Sequence, residues 1–326
     1  MYTNNTGISL SMAVWLATDD YDHNPDPYTI SVTSLMKATK QLVLSSRVPA
    51  ADDVDDISSL VASRIGTAIH NSIEDSWLHS RKASLLKLGF SEKVIDRIAI
   101  NPEPEQLELD EDMIPVYMEQ RSHKKVGKYT ISGKFDFLAE GRIEDFKSTT
   151  VYTYINKSND SKYVQQGSLY RWLNPTIVTE DVMAIQYIFT DWKAMMVKTN
   201  AQYPPTKVYE QKFQLNSLNH TEQYVHSKLQ EIDRAMTQEE SQMPDCTPEE
   251  LWRKEPAYKY YKNPEKTSRS TKNFDSLAEA NTRLADDKFV GIVKTIPGQV
   301  VACRFCSAFP ICKQKDSYIA SGELTL

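Results

Sequence analysis

Asp145 and Lys147 stand two apart in the run Ile143-Glu144-Asp145-Phe146-Lys147, just after a Glu140-Gly141 turn. Residues two apart on a β-strand share a face, so this run puts an acid and a base on one surface and turns Glu144 away. Across the turn, Asp136 follows Gly133 on the partner strand, and antiparallel pairing brings its carboxylate beside that of Asp145. Two adjacent carboxylates repel each other, and a divalent cation relieves the repulsion. Oxygen ligands of this hardness suit Mg²⁺ or Mn²⁺, which polarise a phosphate oxygen and lower the pKa of a water. Lys147 then orients that water or stabilises charge developing on the phosphorane.

Two helical pairs can join this centre. His70 and Glu74 lie one turn apart, bordering an expected buried stripe of Val61, Ile65, Ile69, Ile73 and Trp77, so both can look from the helix edge toward the sheet. A neutral imidazole there adds a ligand and biases the site toward Mn²⁺, with Glu74 as an additional candidate donor. Gln166 and Tyr170 are four apart on a second helix and can hold a phosphate oxygen or the lysine. Singly, each signal has a bland counterpart: a solvated Asp-x-Lys pair, a structural histidine, an incidental Gln and Tyr. Order and spacing together carry the reading.

That order resembles the RecB-type branch of the PD-(D/E)XK nucleases, through Gly66-Thr-Ala-Ile-His70, Gly133-Lys-Phe-Asp136, Asp145-Phe-Lys147 and Gln166-Gly-Ser-Leu-Tyr170, over roughly residues 30 to 200. The resemblance implies an α/β, restriction-endonuclease-like core with a mixed central sheet flanked by helices. It also implies metal ligation by His70, Asp136, Asp145 and the Phe146 main-chain carbonyl, a catalytic Lys147, and Gln166 and Tyr170 completing the site. The activity it implies is a deoxyribonuclease, exonuclease in preference to endonuclease, acting on single-stranded DNA or duplex ends in recombination, repair or phage DNA processing. A rival from another class is a non-catalytic DNA-binding or assembly subunit that keeps the fold. It is disfavoured because a retired site has no need of a lysine beside two carboxylates.

Cys303, Cys306 and Cys312 crowd into ten residues near the C-terminus, with Cys246 further upstream. Without an export signal, such clustering suggests a metal or iron-sulfur site before disulfides. The trio looks like that of the iron-sulfur members of the same family, in which three thiolates and one remote cysteine hold a 4Fe-4S cluster. Those members keep the remote cysteine ahead of the nuclease motifs, whereas Cys246 follows them, so a four-thiolate Zn²⁺ site remains the alternative. Four free buried thiols are the bland reading.

Between Cys246 and Cys303 a basic, tyrosine-rich stretch includes Lys259, Tyr260, Lys262, Lys266 and Arg269. Cations interleaved with aromatics form a single-strand track, or else a solvated surface with the tyrosines packed inward. A second run, Arg121, His123, Lys124, Lys125 and Lys128, either lines the approach to the metal site or is a plain hairpin surface. Such patches are needed, because a net charge of -6 gives no whole-molecule attraction for a polyanion. With 326 residues, 40% hydrophobic and 25% charged, the chain has the composition of a soluble globular protein. No apolar run approaches the roughly 18 residues of a membrane span, so a cytosolic setting is the default.

The pattern along the chain predicts helices over 34–44, 57–88, 91–98, 162–173 and 217–236, and an acidic loop at Asp52, Asp53, Asp55 and Asp56. It predicts strands over 116–119, 128–138, 142–148, 183–189, 194–199 and 208–215. The expected division is a nuclease core over 1–205 and a helical, four-cysteine extension over 206–326, with a soft boundary at Tyr203, Pro204 and Pro205.

Overall fold

The computed structural model describes residues 2–18, 24, 26–49 and 56–325; Asp52, Asp53 and Asp55 of the expected acidic loop lie outside them. The longer helices are α1 (Leu10–Ala17), α2 (Thr39–Arg47), α3 (Val61–Asp75), α4 (Asp160–Leu173), α5 (Leu218–Met236), α6 (Leu277–Asp286) and α7 (Lys313–Ala320). Among the described residues, no helix is long and apolar enough to cross a membrane.

The chain separates into two compact units. The first draws on Met1–Met36 and Asp52–Ser227, the second on Lys37–Ala51 and Lys228–Leu326. The seam thus falls inside α5 rather than near residue 205, and α2 belongs with the C-terminal unit.

The first unit is a curled, mixed sheet with helices. Its strands are β1 (Thr29–Ser31), β2 (Ile98–Ile100), β3 (Ile114–Val126), β4 (Tyr129–Ala139), β5 (Arg142–Thr149), β6 (Val182–Phe189) and β7 (Val208–Gln214). They pair in the order β2-β3-β4-β5-β6-β7, with β1 added beside β4. The β3-β4-β5 meander is antiparallel, as its two turns dictate, and β5 pairs with β6 in parallel across the connection that contains α4.

One detail of register makes the site. On one side of β4, β1 pairs with Thr130 to Ser132 and β5 pairs only with Phe137 to Ala139. Residues 133–136 between them carry no strand partner on that side, and the seam where β4 and β5 part is where Gly133 and Asp136 stand. α4 lies close over it. A Cβ on Gly133 would come within 2.6 Å of Leu173, 2.9 Å of Val32 and 3.1 Å of Tyr170, and one on Gly167 would meet Met183 at 2.2 Å. Both glycines are therefore explained by close approach of α4 to the strands. Gly133→Ala is expected to lower stability by roughly 1–3 kcal/mol, the usual cost of overpacking, and to disturb Tyr170. Denaturant unfolding checks it, and an unchanged midpoint would mean that α4 can lift away freely.

Three sequence expectations differ from the fold. Residues 194–197 form a short helix, not a strand, because the expected second strand is supplied by β7. The single helix expected over 34–44 is two pieces, Val32–Leu35 and α2, broken at 36–38. The stripe on α3 is not buried: no residue of α3 is, and Val61 and Ile65 are 38% and 41% exposed. Amphipathic periodicity correctly gives the helix, but here Ile65, Ile69 and Ile73 line an open apolar hollow of about 340 Å³ with Trp15 and Ile188. Past its end, Trp77 does pack on Phe137, at 5.0 Å between ring centroids.

In the second unit, β8 (Ala257–Tyr261), β9 (Lys272–Phe274) and β10 (Ile292–Ile296) form a three-stranded antiparallel sheet with β8 central. α6 packs against all three strands. Here Tyr260 is fully buried and its hydroxyl donates to Asp287 at 2.6 Å.

Candidate active site

The β4-β5 seam gathers the predicted residues. Beyond the Phe137–Glu144 pair the ladder stops, and the carboxylate of Asp136 takes over as the acceptor, receiving the Phe146 N–H at 2.9 Å. Next to it Asp145 is 1% exposed, and its Oδ2 lies 2.5 Å from the Lys147 ammonium. That contact lacks hydrogen-bond geometry, so Oδ2 is a buried acceptor without a donor. Asp145 Oδ1 accepts from the Gln166 amide at 3.3 Å, and the same amide donates to Tyr170 at 3.0 Å. This accounts for the Gln and Tyr four apart on α4.

α3 delivers His70. Its Nε2 lies 3.0 Å from the Phe146 carbonyl, which can only accept, so Nε2 carries a proton and Nδ1 faces the acids. Nδ1 stands 3.5 Å from Asp136 and 3.8 Å from Glu119. One donor atom each from His70, Glu119 and Asp136 lie within 4.8 Å of one another.

Glu119 was not singled out by the sequence. It sits mid-strand on β3 with φ at +52°, between the regular pairs Met118–Phe137 and Gln120–Phe135, directly opposite Asp136 in register. A left-handed glutamate inside a strand costs of order 1–3 kcal/mol and persists where its surroundings hold it. Lys134 does so through an ion pair, and His70 through its ring. The only sequence signal was position, since Glu119 ends an apolar run opposite a motif aspartate. Glu74 is not in this donor group.

Electrostatics mark the site as short of positive charge. Burial, and then the neighbouring Asp145, push the Asp136 carboxyl up to about 7 despite Lys147 and His70. Burial opposes protonation of His70, but Glu119, Asp136 and the Phe146 carbonyl outweigh it and raise its pKa. Burial likewise opposes the Lys147 ammonium, which Asp145 and Asp136 nevertheless hold firmly charged. For Glu119, His70 and Lys134 overcome burial and lower the pKa. Burial and the Asp145 charge keep the Tyr170 phenol protonated.

In the second unit, Cys312 caps α7, and its thiol accepts main-chain N–H groups of Gln314 and Lys315. The Gln314 side chain clamps Cys246, accepting its N–H at 3.0 Å and donating to its carbonyl at 3.3 Å. Burial raises the Cys246 thiol to about 12 and the Cys303 thiol to about 11, with each further raised by other cysteines of the set. The four thiols thus sense one another, yet no three of their sulfurs lie within 4.8 Å.

Of the basic residues, Lys262, Lys266 and Arg269 are exposed, and Lys259 stands across from Lys294 on β10. Tyr260, buried against Asp287, offers no face for base stacking, which corrects that part of the expected track. In the first unit, Lys124 pairs with Glu222 and lies 4.0 Å over the Trp172 ring, so it is occupied within the fold.

No family model and no curated protein matches the sequence. Solved structures similar to this chain include an alkaline exonuclease from Laribacter hongkongensis, at 10% identity over 64% of this chain and 89% of that one, with a TM-score of 0.34. Another is a phage-related exonuclease from Haemophilus somnus, at 11% identity over 64% of this chain and 93% of that one, with a TM-score of 0.29. Function has to be read from the site itself.

Proposed function

We propose that this protein is a divalent-metal-dependent deoxyribonuclease of the PD-(D/E)XK type that hydrolyses phosphodiester bonds. The observation that carries the reading is the convergence, in one seam between β4 and β5, of three metal-type donors (His70, Glu119, Asp136) with the buried Asp145–Lys147 pair.

The residues fit a hard divalent cation. Asp136 held near neutrality and a donorless Asp145 oxygen are two symptoms of one missing positive charge. Asp136, Asp145 and His70 would hold the ion, with Glu119 as a further donor; the Phe146 carbonyl accepts from His70 and retains a second lone pair. The imidazole favours Mn²⁺ alongside Mg²⁺. A cation bound there supplies Lewis acidity toward a phosphate oxygen and a water of lowered pKa. Lys147 places a fixed positive charge where negative charge develops on the phosphorane. Gln166 holds Asp145 in orientation, and the protonated Tyr170 supplies a neutral donor beside it. The Phe146 carbonyl fixes the His70 tautomer so that Nδ1 faces the metal position.

DNA as substrate is supported by this chemistry and by the exposed cations Lys259, Lys262, Lys266 and Arg269. For the cysteines, tetrahedral zinc with Zn–S of about 2.3 Å requires sulfurs roughly 3.8 Å apart. Four sulfurs that sense one another without any three coming within 4.8 Å suit the wider spacing around a 4Fe-4S cluster. Three main-chain or amide donors at Cys312 and Cys246 suit thiolates as ligands.

End-labelled single- and double-stranded DNA and a covalently closed circle, incubated with Mg²⁺, Mn²⁺ or a chelator, test the proposal. Label is expected to be lost from linear DNA in either metal, retained in chelator, and retained throughout by Asp145→Ala. An intact circle supports an exonuclease. Linear DNA that survives both metals at high protein concentration overturns the reading.

A further inference from the structure

The second unit buries a lysine in an unfavourable place. Lys40 lies in the first turn of α2, where the exposed N–H groups of a helix already carry partial positive charge, and α2 has no side-chain cap. Its side chain is only 5% exposed, and its one ion-pair partner, Asp245 at 2.6 Å, is 72% exposed and well solvated. Burying an ammonium costs several kcal/mol unless negative charge compensates, and a carboxylate mostly in water does so poorly. Beside it the Thr39 hydroxyl is buried without a partner.

The compensation is sought in what shares the space. Ala38, Thr39 and Lys40 line a cavity of about 240 Å³ together with Asp245, Cys246 and Glu250. Lys40 acts on both Cys246 and Cys312 in the sense that favours thiolate, while Glu250 opposes it at Cys246 and Glu240 at Cys312. Lys228, the other cation lining the cavity, is turned to Glu231 at 3.9 Å. A site of four thiolates is strongly negative, and an uncapped helix start with a buried ammonium is the matching positive surface.

We propose that Lys40 is a positioning residue for the four-cysteine site, its ammonium compensating the thiolate charge and thereby setting how tightly the metal group is held and how readily it accepts an electron. This rests on the cysteine reading given above. The segment ahead of His70, where iron-sulfur relatives place their remote cysteine, here reaches the site with a charge in place of a ligand.

The test uses full-length protein purified anaerobically, with iron, sulfide and zinc measured. The two readouts are the rate of metal loss to a chelator and the midpoint of one-electron reduction by dithionite, in which the cluster gains an electron and no bond is made or broken. Lys40→Met is expected to lose metal about 10–100-fold faster, the range for removing an outer partner of a metal site, and to reduce at a lower potential. Lys40→Arg is expected to restore both. Asp245→Asn keeps the ammonium and removes its neutraliser, so the potential is expected to rise. A wild type without metal on its cysteines overturns the cysteine reading and this inference with it. A loaded wild type matched by Lys40→Met in both readouts overturns the inference alone. If Lys40→Met does not fold, Asp245→Asn decides: a lowered potential would mean that the pair is a mere staple.

Discussion

Asp136→Asn is expected to stabilise the metal-free protein at pH 8 while abolishing its response to Mn²⁺. In the folded chain the Asp136 carboxyl is raised to about 7 from an ordinary 3.8, by burial and by Asp145. A carboxyl whose pKa rises on folding favours the fold when protonated. Its contribution is whole below about pH 4 and is lost as pH climbs through about 7, so the ionised group is a liability at pH 8 of up to about 4 kcal/mol. Asparagine has no such charge, and its carbonyl can still accept the Phe146 N–H. Chemical unfolding in chelator should therefore find variant and wild type alike near pH 4 and the variant more stable, by up to that amount, at pH 8. Adding Mn²⁺ reverses the order, because only the wild type gains stability through binding. A variant less stable than wild type at pH 8 in chelator would mean that Asp136 is already well compensated, and the argument for a missing cation would fail.

Such a reversal marks residues kept for function at the expense of the fold, and it bears on what was legible in the sequence. Asp145 and Lys147 were readable because strand alternation fixes their common side, and Asp136 because one turn fixes its register. Gln166 and Tyr170 were readable only as a pair in order with the rest; their common amide bond to Asp145 makes physical sense of the spacing. Glu119 was hidden, since its role depends on a left-handed residue within β3 and on a strand pairing eighteen residues long in hairpin register, neither of which has a local signal. The stripe on α3 misled because periodicity reports that one face is apolar, not what covers it. Tyr260 misled similarly: interleaved aromatics and cations read alike whether the rings face solvent or, as here, the core. The place of α2 in the C-terminal unit is a long-range contact that no composition shift announces.

Lys147→Met is expected to separate binding from chemistry. The ammonium competes with any cation for Asp145 and Asp136, and it also disfavours a proton on His70. Removing it should leave Mn²⁺ binding intact or tighter, followed by calorimetry or by the spectrum of the free ion. Cleavage should nonetheless fall by about 10²–10³-fold, the usual loss when one preorganised electrostatic partner of the transition state is removed. Stability should report the same competition. Without metal the variant leaves Asp145 buried and uncompensated, and breaking such a pair costs up to about 3–5 kcal/mol, less here because the Lys147 side chain is 30% exposed. With Mn²⁺ that loss should largely vanish, since the cation replaces the missing charge. Lys147→Arg is not expected to rescue activity, because a planar guanidinium cannot put a point charge in the same place. Loss of Mn²⁺ binding together with cleavage in Lys147→Met would make the lysine a scaffold for the acids, and its place beside the phosphorane would have to be given up.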